Sequence, residues 1–558
     1  MIMPRARRER SLVVCSLVSL TGFFHGYDNG VVNGVFEMQP FRAHMGWPPS
    51  SKPDAQTPIV ALQQGLTVNG FNGGAALSSL LFGEYLVDVK GRRPALLLGS
   101  ALFTAGGGVQ AASGSAGMLI VGRVISGVGV GLTSSAGTAY IAEVAPARTR
   151  GAMVGMYQNN ICIAIVLAAV VNWFVRELEF GWRVSLGLQV AMGLLVMIGL
   201  FYVPETPRFL AKRGDLPGAK HALTALRGDE AVAGAEMDCI AADLQGEAAA
   251  GEATWREIFV ENSAFRNVVV IGCMVQLAQI LTGINAIVSF SGTMFAQLGV
   301  SGLTGALLPF VANLLANMLG SFIIVDRFGR RPVLISGMSG MALTLLVAGA
   351  MNVANAPGGG GVAIACVVLY MTCFGGSWGY GAWLYIPEIM PLRVRGKAVG
   401  LATFINWGPA NLASAFLTPW MLQRSVLGAG GTLLLFGCIA AVFVPAALLF
   451  LPETKGQPLE NVLSMFAFSG LRGLRRFIHG NLTHGGGVAP HVHVSSSTRQ
   501  ASVSSSLHLP SSTSRSSVSS SPYLPSFSSQ ASVNSSLPAE ISIGSHCVSI
   551  DVASTVGT

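Results

Sequence analysis

Twelve windows of about 20 apolar residues, each long enough to cross a bilayer, constrain this chain more than any other feature. They fall at about 11–34, 63–87, 94–113, 117–142, 151–174, 182–203, 266–291, 302–325, 332–353, 361–387, 398–421 and 430–451. Backbone polar groups in hydrocarbon must find partners within their own segment, so such runs predict helices. The expected fold is an all-α membrane protein with twelve transmembrane helices. Composition agrees: of 558 residues, 51% are hydrophobic and 11% charged, and the mean hydropathy is +0.57. Soluble chains carry about 25% charged residues, which argues against a soluble enzyme, a nucleic-acid binder or a disordered scaffold. The first run follows a basic leader but has no clear small-residue cleavage site, so it reads as a retained span.

The net charge of +8 sits in short clusters between apolar runs, among them Arg92-Arg93, Arg148 with Arg150, Arg330-Arg331, and Arg472 with Arg475-Arg476. That is the distribution of cytoplasmic loops rather than of a nucleic-acid footprint. With residues 1–10 inside, every cluster falls on the cytoplasmic side and both termini are cytoplasmic. The chain then divides into an N-terminal half at 11–203, a polar connector of short helices at 204–265, a C-terminal half at 266–451 and a tail at 452–558. Residues 495–536 hold 21 serines in 42 positions; a segment so poor in apolar surface is expected to stay disordered. The eight cysteines are scattered, and no metal-ligand spacing appears. No cofactor, metal or nucleic-acid partner is expected.

An internal repeat orders the spans. Asp88-Val89-Lys90-Gly91-Arg92-Arg93-Pro94 returns as Asp326-Arg327-Phe328-Gly329-Arg330-Arg331-Pro332. Glu143 with Arg150-Gly151 returns as Glu388 with Arg395-Gly396, and Pro204-Glu205-Thr206 as Pro452-Glu453-Thr454. The offsets are 238, 245 and 248 residues, which predicts two pseudo-symmetric six-helix halves. Arginines at span ends are explained by topology, but acids paired with them at fixed spacing are not. Asp88, Arg92, Glu143 and Arg150, with Asp326, Arg330, Glu388 and Arg395, are therefore candidates for a cytoplasmic latch that holds one closed arrangement of the halves.

These motifs resemble the sugar porter branch of the major facilitator superfamily over about residues 11–460. The two D-x-x-G-R-R loops, P-E-T-P-R-F-L at Pro204–Leu210, P-E-T-K-G at Pro452–Gly456, Gln279 before Thr282-Gly283-Ile284-Asn285, and Trp383 before Glu388 carry the likeness. Gly26-Tyr27-Asp28 is most similar to the plant and algal monosaccharide/proton symporters. The resemblance implies a monomeric plasma-membrane transporter, not an enzyme, that carries a monosaccharide and a proton by alternating access.

Polar side chains inside spans are costly unless they line a cavity or pair. Gln158, Gln276, Gln279, Asn285 and Asn406 are such residues, and each amide offers a polyol both donors and an acceptor. An interhelical bond would explain any one of them alone. The resemblance assigns Gln158, Gln279, Asn285, Trp383 and Asn406 to sugar binding; Gln276 is left open between sugar contact and interhelical bond. Gly283 is expected to loosen span seven and bring Gln279 and Asn285 together. The resemblance also matches Asp28 and Arg123 to a proton-coupling pair. Burial raises an aspartate pKa and a nearby arginine lowers it, so moving Arg123 would load or expel a proton. His25, one turn before Asp28, stands where the family carries Phe, and Ile280 where it carries a second Gln. These departures leave hexose, pentose and polyol open as cargo. A facilitative uniporter and a transporter-like sugar receptor signalling through its tail are the alternatives.

Overall fold

The computed structural model describes residues 5–49, 57–79, 84–146, 149–251, 253–297, 303–391, 393–423, 425–455, 463, 465–466 and 470–483. The serine-rich stretch 495–536 lies outside them. Within the described residues the chain is helical, without strands.

The first span is two helices, α1 (Arg5–Ser19) and α2 (Gly22–Val35). They meet at Leu20-Thr21, where the Ser19 and Thr21 hydroxyls donate to the Ser16 and Val18 carbonyls at 2.7 and 2.8 Å. Such back-bonding competes with the helix ladder. After the short α3 (Gln39–His44) come α4 (Pro58–Ser78), α5 (Glu84–Val89), α6 (Arg92–Ala111), α7 (Ala116–Val144), α8 (Arg150–Val175) and α9 (Gly181–Phe201). Gly22, Gly26, Gly30 and Gly34 recur every fourth residue and form one face of α2. A Cβ on Gly26 would overlap the Ile161 carbonyl, so these glycines let α2 lie against α8 at backbone distance.

The connector is α10 (Pro207–Lys212), α11 (Leu216–Arg227) and α12 (Glu230–Ala250). It is bonded to both halves. Arg227 reaches Val144 O at 3.0 Å, while Lys397 reaches Ala253 O at 2.8 Å and Arg393 pairs with Glu257 at 3.0 Å.

The second half holds α13 (Ser263–Leu281), α14 (Ile284–Gln297), α15 (Leu303–Leu319), α16 (Val325–Phe328), α17 (Arg330–Val353), α18 (Gly359–Cys373), α19 (Gly379–Ile389), α20 (Arg395–Ile405), α21 (Asn411–Met421) and α22 (Gly428–Phe450). Span seven breaks between α13 and α14, where Gly283 takes φ +89°; an L-residue there would be strained. Single π-turns interrupt span eight at Gly320–Ile324, span ten at Phe374–Trp378 and span eleven at Asn406–Ala410. A last helix, α23 (Gly470–Thr483), follows the final span.

The described residues thus form twelve spans in two six-helix halves. Eight of the helices are long and apolar enough to be recognised as spans by composition alone; breaks and in-span amides explain the others. The halves meet along α2 with α14, α4 with α21 and α8 with α15. Among those eight, spans seven and four are the most buried, while α9 and α22 present most of their surface outward.

The repeat is closest at the end that carries the two G-R-R loops. Glu205 accepts the backbone N–H groups of Arg92 and Arg93, each at 3.1 Å, and Glu453 accepts those of Arg330 and Arg331, each at 3.0 Å. Each P-E-T motif therefore places a carboxylate on the open N–H groups that begin a span, α6 in one half and α17 in the other, where the helix dipole favours negative charge. Gly91 and Gly329, at φ +109° and +91°, make the approach possible; a Cβ on either would meet the carboxylate. Tyr140 and Tyr385 donate to the Pro204 and Pro452 carbonyls, both at 2.9 Å. Burial raises the Glu205 carboxyl above the ordinary glutamate range, opposed by its backbone N–H partners and by Arg92.

Candidate functional site

Two polar clusters occupy the interior, one in each half. In the first half Asp28, on α2, and Arg123, on α7, are both fully buried and pair at 2.7 Å. Arg123 also donates to the carbonyls of Asp28 at 2.7 Å and Thr67 at 3.1 Å, and it lies 4.9 Å from the centre of the Phe71 ring. Gln110 donates to Asp28 at 3.3 Å and to Ser126 at 2.7 Å. The guanidinium is thus spread over α2, α4 and the pair itself. A buried pair of this kind is held by its geometry, and removing one partner leaves an uncompensated charge, which costs about 3–5 kcal/mol.

The second cluster is built of amides. Asn406 donates to Gln276 at 2.6 Å and to Gln279 at 2.9 Å. Gln279 in turn donates to the Trp378 carbonyl at 2.8 Å. Asn285 donates to the Asn411 side chain, and Asn411 to the Asn406 carbonyl at 2.9 Å. Three irregularities make this possible. The break at Gly283 divides span seven between Gln279 and Asn285, and both amides join the cluster through Asn406 and Asn411. The π-turn at Phe374–Trp378 turns the Trp378 carbonyl toward Gln279. The π-turn at Asn406–Ala410, with Pro409 unable to donate, opens the turn so that Asn411 reaches back to Asn406. π-turns of this sort concentrate at functional positions.

Of the sequence candidates, Gln279, Asn285 and Asn406 come together here. Gln276 joins them as a full member. Asn411 was not singled out from sequence; its signal is that it lies five residues after Asn406, the step of a π-turn. Trp383 is half-buried on α19, packed against the core. Gln158 is half-buried on α8 beside Cys162, which also accepts from Asn313 at 3.5 Å.

Bonds between the halves flank the amide cluster. Asn33 donates to Ser291 at 2.7 Å and accepts from Gly292 N–H at 2.9 Å. On α8, Asn159 accepts from Asn317 at 2.7 Å and donates to Ser321 at 3.2 Å. Aromatic contacts join the two clusters, and one of them is direct, Phe71 with Trp407 at 6.2 Å. The His25 ring lies 4.7 Å from Trp407 and 6.2 Å from Phe71, and Phe71 lies under Arg123.

The expected latch residues are placed half by half. Arg92 pairs with Glu143 at 2.8 Å and with Asp88 at 3.3 Å. Arg330 pairs with Glu388 at 2.9 Å, and Thr454 donates to the same carboxylate at 2.7 Å. Arg395 donates to the Met390 carbonyl at 3.2 Å. Each of these ion pairs joins spans of the same half. The side chains of Arg150 and Asp326 lie outside the described residues.

The chain matches the family model described as "Sugar (and other) transporter" over residues 14–466. It is 30% identical to Hexose transporter 2 of Kluyveromyces lactis, over 83% of this chain and 84% of that protein. It is 30% identical to Sugar transport protein MST7 of Oryza sativa subsp. japonica, over 81% of this chain and 90% of that one. Its fold is similar to a solved structure of the proton:xylose symporter XylE bound to 6-bromo-6-deoxy-D-glucose. The TM-score is 0.68 at 27% identity, covering 82% of this chain and 99% of that one. An inward-open structure of XylE from E. coli gives a TM-score of 0.66 at 26% identity.

Proposed function

The chain belongs to the Sugar (and other) transporter family, and on that premise we propose that it takes up a monosaccharide, a hexose first among candidates, together with one proton. As a member of that family it is a multi-pass membrane transporter and not an enzyme. The observation that carries the proton reading is the fully buried Asp28–Arg123 pair at 2.7 Å. A permanent charge pair inside a transporter is costly. It is accounted for if the two charges separate during the cycle, since Asp28 then takes a proton and returns it when Arg123 comes back. The similarity to a proton:xylose symporter supports the same reading.

In this reading Gln158, Gln279, Asn285, Trp383 and Asn406 bind the sugar, and Gln276 and Asn411 complete the amide cluster. The amide–amide bonds exchange for bonds to sugar hydroxyls, and the Trp383 indole offers a face for stacking. Asp88, Arg92, Glu143 and Arg150, with Asp326, Arg330, Glu388 and Arg395, are the candidate cytoplasmic latch for one closed arrangement of the halves, and the Arg92–Glu143 and Arg330–Glu388 pairs support it within each half. The halves are 11–203 and 266–451, the connector 204–265, and the tail 452–558. The arginine clusters support a cytoplasmic position for that end and for both termini, and the family resemblance supports the plasma membrane. The transporter acts as a monomer.

The driving force suffices. About 150 mV with one pH unit gives about 4.8 kcal/mol per proton, a sugar gradient of several thousand-fold. The test is uptake of labelled monosaccharides and polyols in transporter-deficient cells at acidic and neutral external pH, with and without a protonophore. Accumulation that the protonophore abolishes supports the proposal. Uptake that stops at equilibrium and ignores pH defeats it and leaves a facilitator.

A further inference from the structure

The amphipathic helix α23 takes no part in either polar cluster. Arg472, Arg475, Arg476 and His479 stand at i, i+3, i+4 and i+7, which is one face of a helix. Leu474, Phe477, Ile478 and Asn481 form the opposite face. That second face is docked. Phe477 lies 6.0 Å from Phe466, whose carbonyl accepts from Asn267 at 2.9 Å, and buried Asn481 donates to the Leu449 carbonyl at 2.9 Å. Arg475 and His479 on the first face are exposed. From residue 461 to residue 539 the sequence has no Asp or Glu.

The position of the helix decides what such a face meets. Leu449 is in the last turn of α22, the final span, which ends at Phe450. Asn481 therefore holds the end of α23 at the level where hydrocarbon gives way to headgroups. A 14-residue helix is about 21 Å long, and with Asn481 tied to Leu449 its basic face lies within reach of the headgroups at that level. Clusters of arginine directly after a span, on an amphipathic helix, attract anionic lipid at about fivefold per residue.

We propose that the Arg472–Arg475–Arg476–His479 face of α23 binds the headgroups of anionic phospholipids in the adjoining leaflet and straps the end of the last span to the membrane surface. The proposal rests on the cytoplasmic placement of this end, where anionic lipids are concentrated. It does not depend on which solute is carried.

The experiment uses the full-length protein in nanodiscs of phosphatidylcholine alone or mixed with phosphatidylserine, with no sugar and no proton gradient. Lipids retained on the protein are counted by native mass spectrometry, and hydrogen exchange is followed over 470–483. Wild type is expected to retain phosphatidylserine over phosphatidylcholine and to show slower exchange in the mixed discs. The triple variant Arg472→Gln, Arg475→Gln, Arg476→Gln should lose that preference by at least tenfold, and the corresponding triple Lys variant should keep most of it. Removing the same charge from the connector, by Lys212→Gln, Arg213→Gln and Lys220→Gln, should leave it unchanged. Equal retention of both lipids by wild type, or a preference that survives the triple Gln variant, overturns the proposal. Protection of 470–483 by inorganic phosphate in phosphatidylcholine discs, equal to that given by phosphatidylserine, also overturns it and points to a soluble phosphate or a phosphorylated segment of the tail.

Discussion

Span one meets span four through Asp28 and Arg123, paired at 2.7 Å. Span seven meets span ten through the Tyr370 hydroxyl, which donates to the Thr282 carbonyl at 3.2 Å. The same pair of elements in the repeat thus carries a full charge pair in one half and a neutral hydrogen bond in the other. At their ends the halves match closely, with Tyr140 answering Tyr385 and Glu205 answering Glu453. The ends preserve what makes a half rigid, and under the proposed function the interiors carry different groups. Charge, which a proton can neutralise, is confined to the first half. Amides, which can exchange partners with a polyol, occur in both halves, and the bonded cluster of Gln276, Gln279, Asn285, Asn406 and Asn411 lies in the second.

This contrast is broken or sharpened most strongly at Asp28. Asp28→Asn keeps the shape and removes the titratable group, so accumulation should fall from hundreds-fold or more to onefold while sugar exchange across the membrane persists. Accumulation in a protonophore-sensitive manner by the variant would put the proton elsewhere. Arg123 is left as an unpaired buried charge in this variant, so a thermal-stability measurement should accompany the uptake assay. The converse substitutions lie in the other half. Gln279→Ala and Asn406→Ala each remove an amide with two partners, and at about 1–3 kcal/mol per unmet buried polar group the half-saturating sugar concentration should rise about ten- to a hundredfold. What uptake remains should still respond to pH. If instead these variants uncouple uptake from the proton, the division between halves is wrong.

Asn411→Ala tests the part of the site that sequence did not disclose. It leaves Asn285 without its amide partner and should raise the half-saturating concentration about tenfold, with the proton dependence intact. The reason it was hidden is geometric. Asp28 and Arg123 are legible because a charge in an apolar run has few explanations, and Gln279, Asn285 and Asn406 because the family motifs frame them. Asn411 stands one residue beyond the ordinary helical step from Asn406, and only the π-turn at Asn406–Ala410 brings it back. The twelve spans were legible from hydropathy and the loosening of span seven from Gly283, but the break at Thr21 and the π-turns were not, since these depend on local backbone competition that apolar periodicity does not record. The repeat located the ion pairs at the span ends without telling which spans each pair would join.

The matched ends give a smaller effect with a clear comparison. Glu205→Ala and Glu453→Ala each free two backbone N–H groups at the start of a span and should lower the melting temperature by a few degrees, about equally. A large difference between them would mean that the symmetry of the ends is only geometric. Glu205 adds a pH signature. Its carboxyl is raised by burial, so its contribution to stability declines as pH rises from the ordinary glutamate value through the raised one. Glu205→Gln should flatten that slope in a melting series across mildly acidic pH.

The smallest expected effect concerns the contact between the two clusters. His25 lies against Trp407, next to Asn406, and near Phe71, which lies under Arg123. A rearrangement at the amides therefore presses on the aromatic group that also supports the guanidinium. If the contact acts by packing, His25→Phe should keep accumulation within about threefold, because the ring is replaced by one of similar volume. His25→Ala leaves a gap beside Trp407 and should lower accumulation about tenfold at an unchanged exchange rate, which would loosen the link without removing either site. Equal, severe loss in both variants would instead make the imidazole itself part of the proton path, and the boundary between the charged half and the amide half would then run through span one rather than between the halves.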